Sequence, residues 1–422
     1  MQAGRGSTDG GEGAGAEDPR AARGSAAYRR ALIALFCAGV ATFAQMYSPQ
    51  GLLPEIARSF GVDAGASSWA IGATTIGVAV GALLWARLSD RIGRVRAMRW
   101  ATLAAALVGV VAPFAPGFAP MLALRAIEGF ALAGIPALAV TLLAETVRPG
   151  ALGGAVGSYI AGTTLGGLVG RLLAGAVEAE FGWRAGMLSV AVLAALAATA
   201  FIVLVPPVIR PAPAPPRVVA ALFDAVRRPG VVVLVAHAFL TMGAFVAAFN
   251  ALAFRLELPP YSLSLVQVSW LFLVYFAGTL ASAVVWRFAA RTSPTAVLLG
   301  SLAVVGGGLA LTLSSSLIMI IAGLLLFTGG FFGAHTIASG LTGRRAAGTP
   351  GASQAPPLYN LGYYAGSSLL GWAGTAAFGV TGWSGTVTMV AVAMLLAAVL
   401  AWAYARAHGG VTRVDRRDAP NR

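Results

Sequence analysis

Long apolar runs broken by short polar stretches follow one another along the whole chain, each about the 20 residues that a helix needs to cross a bilayer. Twelve spans are expected, at about 31–53, 67–87, 98–115, 118–146, 152–177, 184–206, 231–254, 264–288, 294–315, 317–340, 355–379 and 383–405. Helix is the only geometry that fits, because barrel strands are about half this length and alternate in polarity. The longest interruption runs from Pro206 to Gly230 and is proline-rich, with an amphipathic piece from Val218 to Arg228. It divides the spans six and six.

A repeat supports that division. Tyr159 and Tyr359, Gly162 and Gly362, Gly166 and Gly366, and Trp183 and Trp383 recur at a spacing of 200, laying the fifth span over the eleventh and the sixth over the twelfth. Two pseudo-symmetric six-helix bundles joined by a linker describe an all-α integral membrane carrier that rocks about a site between its halves. The expected divisions are a tail without a fold at 1–29, a first bundle at 30–206, a linker at 207–230, a second bundle at 231–406 and a basic tail at 407–422. The first run begins at Ala31 and outlasts a signal-peptide core, so it is read as a retained span.

Composition agrees: 58% of residues are hydrophobic and 10% charged, which excludes an ordinary soluble protein and leaves no room for a soluble catalytic domain. The net charge of +14 would suggest nucleic acid if its placement were ignored. All 29 basic residues are Arg, and most lie on one side of the expected membrane, in the loops after even-numbered spans, the linker and the two tails. By the positive-inside rule that side, with both termini, is cytoplasmic. The basicity therefore encodes topology, and no nucleic-acid partner is expected. Cys37 is alone, so the chain can build no internal disulfide or cysteine metal site.

Few ionisable residues fall inside the spans, where each is expected to face a partner or a wet cavity. Arg125 and Glu128 sit three apart on one helix face, so Glu128 is either a protonatable group tuned by Arg125 or half of a static ion pair. Arg171 lies nearer the outer end, where it could snorkel or face the cavity. Gly162, Gly166 and Gly170 form a stripe that lets another helix approach closely. In the second half, His237, Asn250, His335, Tyr359, Asn360 and Tyr363 are candidates for the substrate cavity. Either His could join a proton relay or simply pack, and the two tyrosines, one turn apart, could present rings and hydroxyls to a solute or pack between helices.

The loop after the second span, Ala86-Arg87-Leu88-Ser89-Asp90-Arg91-Ile92-Gly93-Arg94-Val95-Arg96, resembles the signature loop of the major facilitator superfamily, with Ala86 where the family has Gly. The resemblance implies that fold, and a cytoplasmic gate built from Asp90, Arg91, Gly93 and Arg94, in which Asp90 latches onto the start of the eleventh helix. Charge alone would also let this loop set topology. Arg125 and Gly129 resemble the superfamily's Arg, three residues, Gly motif, whose arginine is linked to proton coupling. Gly162, Gly166 and Gly167 match the fifth-span motif of its drug:proton antiporters, with Thr163 at the Pro position. Strings such as Gly243 to Asn250, Phe331 to His335 and Gly366-Ser367-Ser368 make the chain, from about Tyr28 to Arg406, similar to the YnfM-type branch of bacterial major facilitators.

The expected function is proton-coupled export of a small organic solute by alternating access, in a bacterial cytoplasmic membrane, by a monomer without cofactor or bound metal. An uptake symporter or uniporter for a sugar or organic anion is the alternative on the same fold. A non-transporting membrane sensor or scaffold is the alternative of another class. No glycine-rich ATP-binding loop followed by Lys exists, since the chain has no Lys.

Overall fold

The computed structural model describes residues 18, 20–207, 218–352 and 354–407. The sequence-derived expectations for 1–17, for the proline-rich 208–217 and for the basic tail at 408–422 lie outside the described residues. Among the described residues the chain is helical, its one β-type contact being an isolated bridge between Ala21 and Val147.

The first bundle contains α1 (Ala26–Met46), α2 (Leu53–Phe60), α3 (Ala64–Ile92), α4 (Arg94–Val111), α5 (Phe118–Leu132), α6 (Gly134–Thr146) and α7 (Pro149–Leu204). Helix α8 (Val218–Val226) lies in the linker. The second bundle contains α9 (Pro229–Glu257), α10 (Leu265–Trp270), α11 (Tyr275–Arg291), α12 (Pro294–Leu311), α13 (Leu317–Ala346), α14 (Ala355–Thr381) and α15 (Trp383–Ala407). Ten helical stretches are long and apolar enough to cross a membrane by length and composition. Two further crossings complete the expected twelve. Helix α7, with 56 residues, is long enough to cross twice and turns at Gly182, whose φ of 77° is open to glycine because it lacks a Cβ. Helix α14 has the length, with 27 residues, but Tyr359, Asn360, Tyr363, Tyr364, Ser367 and Ser368 lower its hydropathy.

The repeat of 200 residues is realised in space. A Cβ on Gly162 or Gly166 would collide with the α1 backbone at Phe36 or Val40, and one on Gly362 or Gly366 with the α9 backbone at Val235 or Phe239. Gly170 continues the first stripe against Ala44. Each half thus seats its fifth helix on its first by the same device. Gly182 and Gly382, both at positive φ, precede Trp183 and Trp383 in the matching turns.

The expectation that the head has no fold through residue 29 needs correcting for 20–29. Ala21 N–H donates to the Thr146 carbonyl at 2.9 Å and Arg148 N–H to the Ala21 carbonyl at 3.0 Å. Arg20 reaches the Ala144 carbonyl at 3.1 Å, and Ser25 caps α1 by accepting from Tyr28 N–H. Low apolar content does not prevent order here, because the open carbonyls at the end of α6 supply acceptors that helix geometry leaves unsatisfied.

Candidate functional site at the junction of the halves

The two halves meet toward the end opposite the arginine-rich loops, called here the far end as against the basic end. Gly65 of α3 sits on Ala376 of α14, and Trp69 lies beside Trp372 with ring centroids 6.2 Å apart. Nearer the middle, the Ser368 and Thr75 hydroxyls are 2.6 Å apart, and Ser368 also reaches the Gly72 carbonyl. Arg58 bridges Glu55 of its own half, at 2.8 Å, and Glu257 of the other, at 3.1 Å. Toward the basic end, Asn360, two turns from Ser368 on α14, is exposed, as is Asp90.

The gate expected from the signature loop is therefore not engaged in this conformation. Asp90 makes no hydrogen bond or ion pair among the described residues, and the expected contact with the start of α14 is not formed. Arg91 is exposed, and Gly93, with φ 88°, turns the chain from α3 into α4. Arg94 turns inward to pair with Glu145 of α6 at 2.6 Å, with Glu145 2% exposed. Glu145 escaped the sequence reading, although it is one of only 15 acids and closes the fourth span.

At the centre of the junction Arg171 does not snorkel; it is 4% exposed. Its Nε donates to Gln50 Oε1 at 2.8 Å and Nη1 to the Gly167 carbonyl at 2.6 Å. Its guanidinium carbon stands 4.8 Å from the ring centre of Tyr47, 5.0 Å from Phe272 and 4.9 Å from Tyr275. Gln50 Nε2 donates onward to Asn250 Oδ1 at 2.8 Å, so a guanidinium and two amides run from α7 through α1's extension to α9. Gln50, Tyr47, Phe272 and Tyr275 were not singled out by sequence. Gln50 was findable, since it stands 200 residues from Asn250; the aromatic rings carry no comparable signal.

Arg125 and Glu128 are both 1% exposed and paired at 2.6 Å inside the first bundle. The remaining Arg125 donors go to backbone carbonyls: Nε to Ala70 of α3 at 3.0 Å, Nη2 to Gln45 and Met46 of α1 at 3.2 and 2.9 Å. Gly129 lets α5 lie on α3, where a Cβ would strike the Thr74 carbonyl.

His237 is fully buried beside the Ala397 backbone, and neither ring nitrogen makes a well-formed hydrogen bond among the described residues. His335, by contrast, is half-buried, with Nδ1 3.0 Å from the Tyr359 hydroxyl and its ring 5.1 Å from that of Tyr363. The structure thus groups Arg171 with Asn250 through Gln50, groups His335 with Tyr359 and Tyr363, and keeps the Arg125 and Glu128 pair within the first bundle.

The profile of the Major Facilitator Superfamily matches residues 35–355. The chain is 35% identical over 387 residues to the uncharacterized MFS-type transporter YybF of Bacillus subtilis, covering 91% of this chain and 95% of YybF. It is also 35% identical over 378 residues to the inner membrane transport protein YnfM of Escherichia coli, covering 89% of this chain and 90% of YnfM. Among solved structures, a bacterial homologue of the human lysosomal transporter Spinster, in an inward-facing and occupied conformation, superposes with a TM-score of 0.72. That match is 17% identical and covers 91% of this chain and 98% of the other.

Proposed function

Because this chain belongs to the Major Facilitator Superfamily, we propose that it exports a small organic solute in exchange for protons, by presenting a site at Arg171 to one side of the membrane and then the other. It is a multi-pass inner-membrane secondary transporter and not an enzyme. The observation that carries the reading is the unequal closure of the two ends: Gln50 with Asn250 at the centre of the junction and Arg58 with Glu257 at the far end bridge the halves, while Asp90 at the basic end makes no hydrogen bond or ion pair among the described residues.

In this proposal the basic end and both termini are cytoplasmic, by arginine distribution. Asp90, Arg91, Gly93 and Arg94 close that end when the far end opens. Protonation of Glu128 would release its charge-assisted bond to Arg125. Arg125 holds carbonyls of α1 and α3 next to Gln50 and Gly72, two points where the halves are bridged, so the proton reaches the closure through those helices. One chain carries every group named, and the proposal needs no second copy.

The test is the full-length protein in liposomes holding a pH-sensitive dye, under an imposed proton gradient, challenged with a panel of small solutes and compared with Glu128→Gln. Solute-driven proton movement that the variant loses while still binding solute is the expected result. Solute movement without protons, or a variant indistinguishable from wild type, overturns the coupling through Glu128. Net movement of solute and proton in the same direction would replace export by uptake.

A further inference from the structure

We propose that Arg171 is the anchor for the solute's charge, and that the carrier takes small aromatic carboxylates, with the carboxylate on the guanidinium and the ring against the aromatic wall of the second half. The inference rests on the transport reading above and names its substrate class.

Among the described residues Arg171 is a buried cation without a counter-ion. The other deeply placed arginine of the first half, Arg125, has Glu128, and Arg94 has Glu145. Around Arg171 the partners are one amide oxygen, one backbone carbonyl and three ring faces. Neutral acceptors and ring quadrupoles soften the desolvation of a guanidinium but do not cancel its charge. The second bundle cannot cancel it either: from 231 to 406 its only acid is Glu257, already bound to Arg58 at the far end. Nη2 has no hydrogen-bond partner among the described residues, and this nitrogen is where a carboxylate would attach.

Two further buried groups are unspent at the same place. Tyr47, whose ring lies under Arg171, and Ser367 of α14 face each other, and neither hydroxyl has a further partner among the described residues. Buried hydroxyls are normally satisfied, so such a pair marks a place where a bound molecule supplies the partner. The side facing them is aromatic and uncharged. Tyr275 meets Phe332 edge-on at 6.0 Å, and Tyr363 lies 5.1 Å from His335; all four are half-buried. The first half therefore offers a cation and the second half rings, which together match a flat molecule with one negative end.

The test is equilibrium binding of labelled benzoate to the purified full chain, with competition by 2-naphthoate, 2-naphthamide and 2-naphthylmethylammonium. Expected are competition by 2-naphthoate, at least tenfold weaker competition by the amide and the ammonium, and at least tenfold loss of benzoate binding in Arg171→Gln. Arg171→Lys should fall between, keeping the charge without the planar fork. Should Arg171→Gln fail to elute as a monodisperse protein, Tyr275→Leu, expected to weaken 2-naphthoate several-fold, and the acid-against-amide comparison in wild type decide the matter. Equal binding of acid and amide, preference for the ammonium, or no binding of either carboxylate overturns the assignment. If liposomes then move a neutral or cationic solute, the substrate class alone falls; if they move no solute, the transport reading falls with it.

Discussion

Gln50 and Asn250, 200 residues apart, join side chain to side chain at 2.8 Å across the two halves. Residues at matching positions of a duplicated fold can touch each other only near the axis that relates the copies, so this contact ties both halves there. Gln50 also accepts from Arg171 at 2.8 Å, which links that tie to the proposed anchor. Removing one partner leaves the other buried and unpaired, at a cost of about 1–3 kcal/mol. Asn250→Leu is therefore expected to shift the carrier away from closure at the far end. A cysteine pair at Thr75→Cys and Ser368→Cys, now 2.6 Å apart as hydroxyls, should cross-link less completely in that background.

The glycines at the helix crossings should be separable from those facing open space. Gly166→Val and Gly366→Val each drive a side chain into the backbone of the partner helix, at Val40 and Phe239. Overpacking of this kind costs about 1–3 kcal/mol or more, because the interior is already close-packed. A clear fall in thermal unfolding temperature in detergent is expected for both. Gly343→Ala, with nothing within 4 Å of the new Cβ, should leave it unchanged.

Glu145 and Arg94 form a cross-link at the basic end, at 2.6 Å with side-chain exposures of 2% and 13%. Breaking a buried pair from one side costs on the order of 3–5 kcal/mol, and the partial exposure of Arg94 places this pair toward the lower figure. Glu145→Ala should lower the unfolding temperature more than Asp90→Ala, since Asp90 has no partner to lose among the described residues. Transport measurements should then reverse the order if Asp90 closes the gate in the other state.

Residues 20–25, a strap pinned to the end of α6, have a titrating neighbour in Asp18. Asp18 is pulled from 3.8 to about 2, chiefly by the Arg20 guanidinium donating to its carboxylate. A carboxyl with a lowered value in the ordered state stabilises it above its ordinary value and loses that contribution as pH falls through the lowered one. Because the pair is exposed and lies within the strap, its contribution is small: the strap should stay attached from neutral pH to about 4 and exchange only slightly faster as pH drops toward about 2. Amide exchange at Ala21 and Arg148, whose N–H groups make the bridge, reports it, and Asp18→Asn should show the slightly faster exchange at neutral pH.

How far sequence alone reached can be judged from particular residues. Gly162 and Gly166 were legible as a packing stripe because their spacing is a property of one helix, and their copies at Gly362 and Gly366 because repeats survive in the letters. Arg125 and Glu128 were legible as a pair for the same reason. Glu145, Gln50 and the rings at Tyr47, Phe272 and Tyr275 were not singled out, since each matters only through a residue on another helix.

The number and order of spans, their division into halves and the sidedness of charge belong to the sequence by itself, because hydrophobicity and charge add up locally along a chain. Only the tertiary structure decided that Arg171 turns inward onto Gln50 and three rings, that Asp90 has no partner among the described residues, and that residues 20–25 are pinned to the end of α6. A helix apolar on every side does not announce which face it buries. That choice is made by the neighbours it packs against, and the chemistry of the junction follows from it.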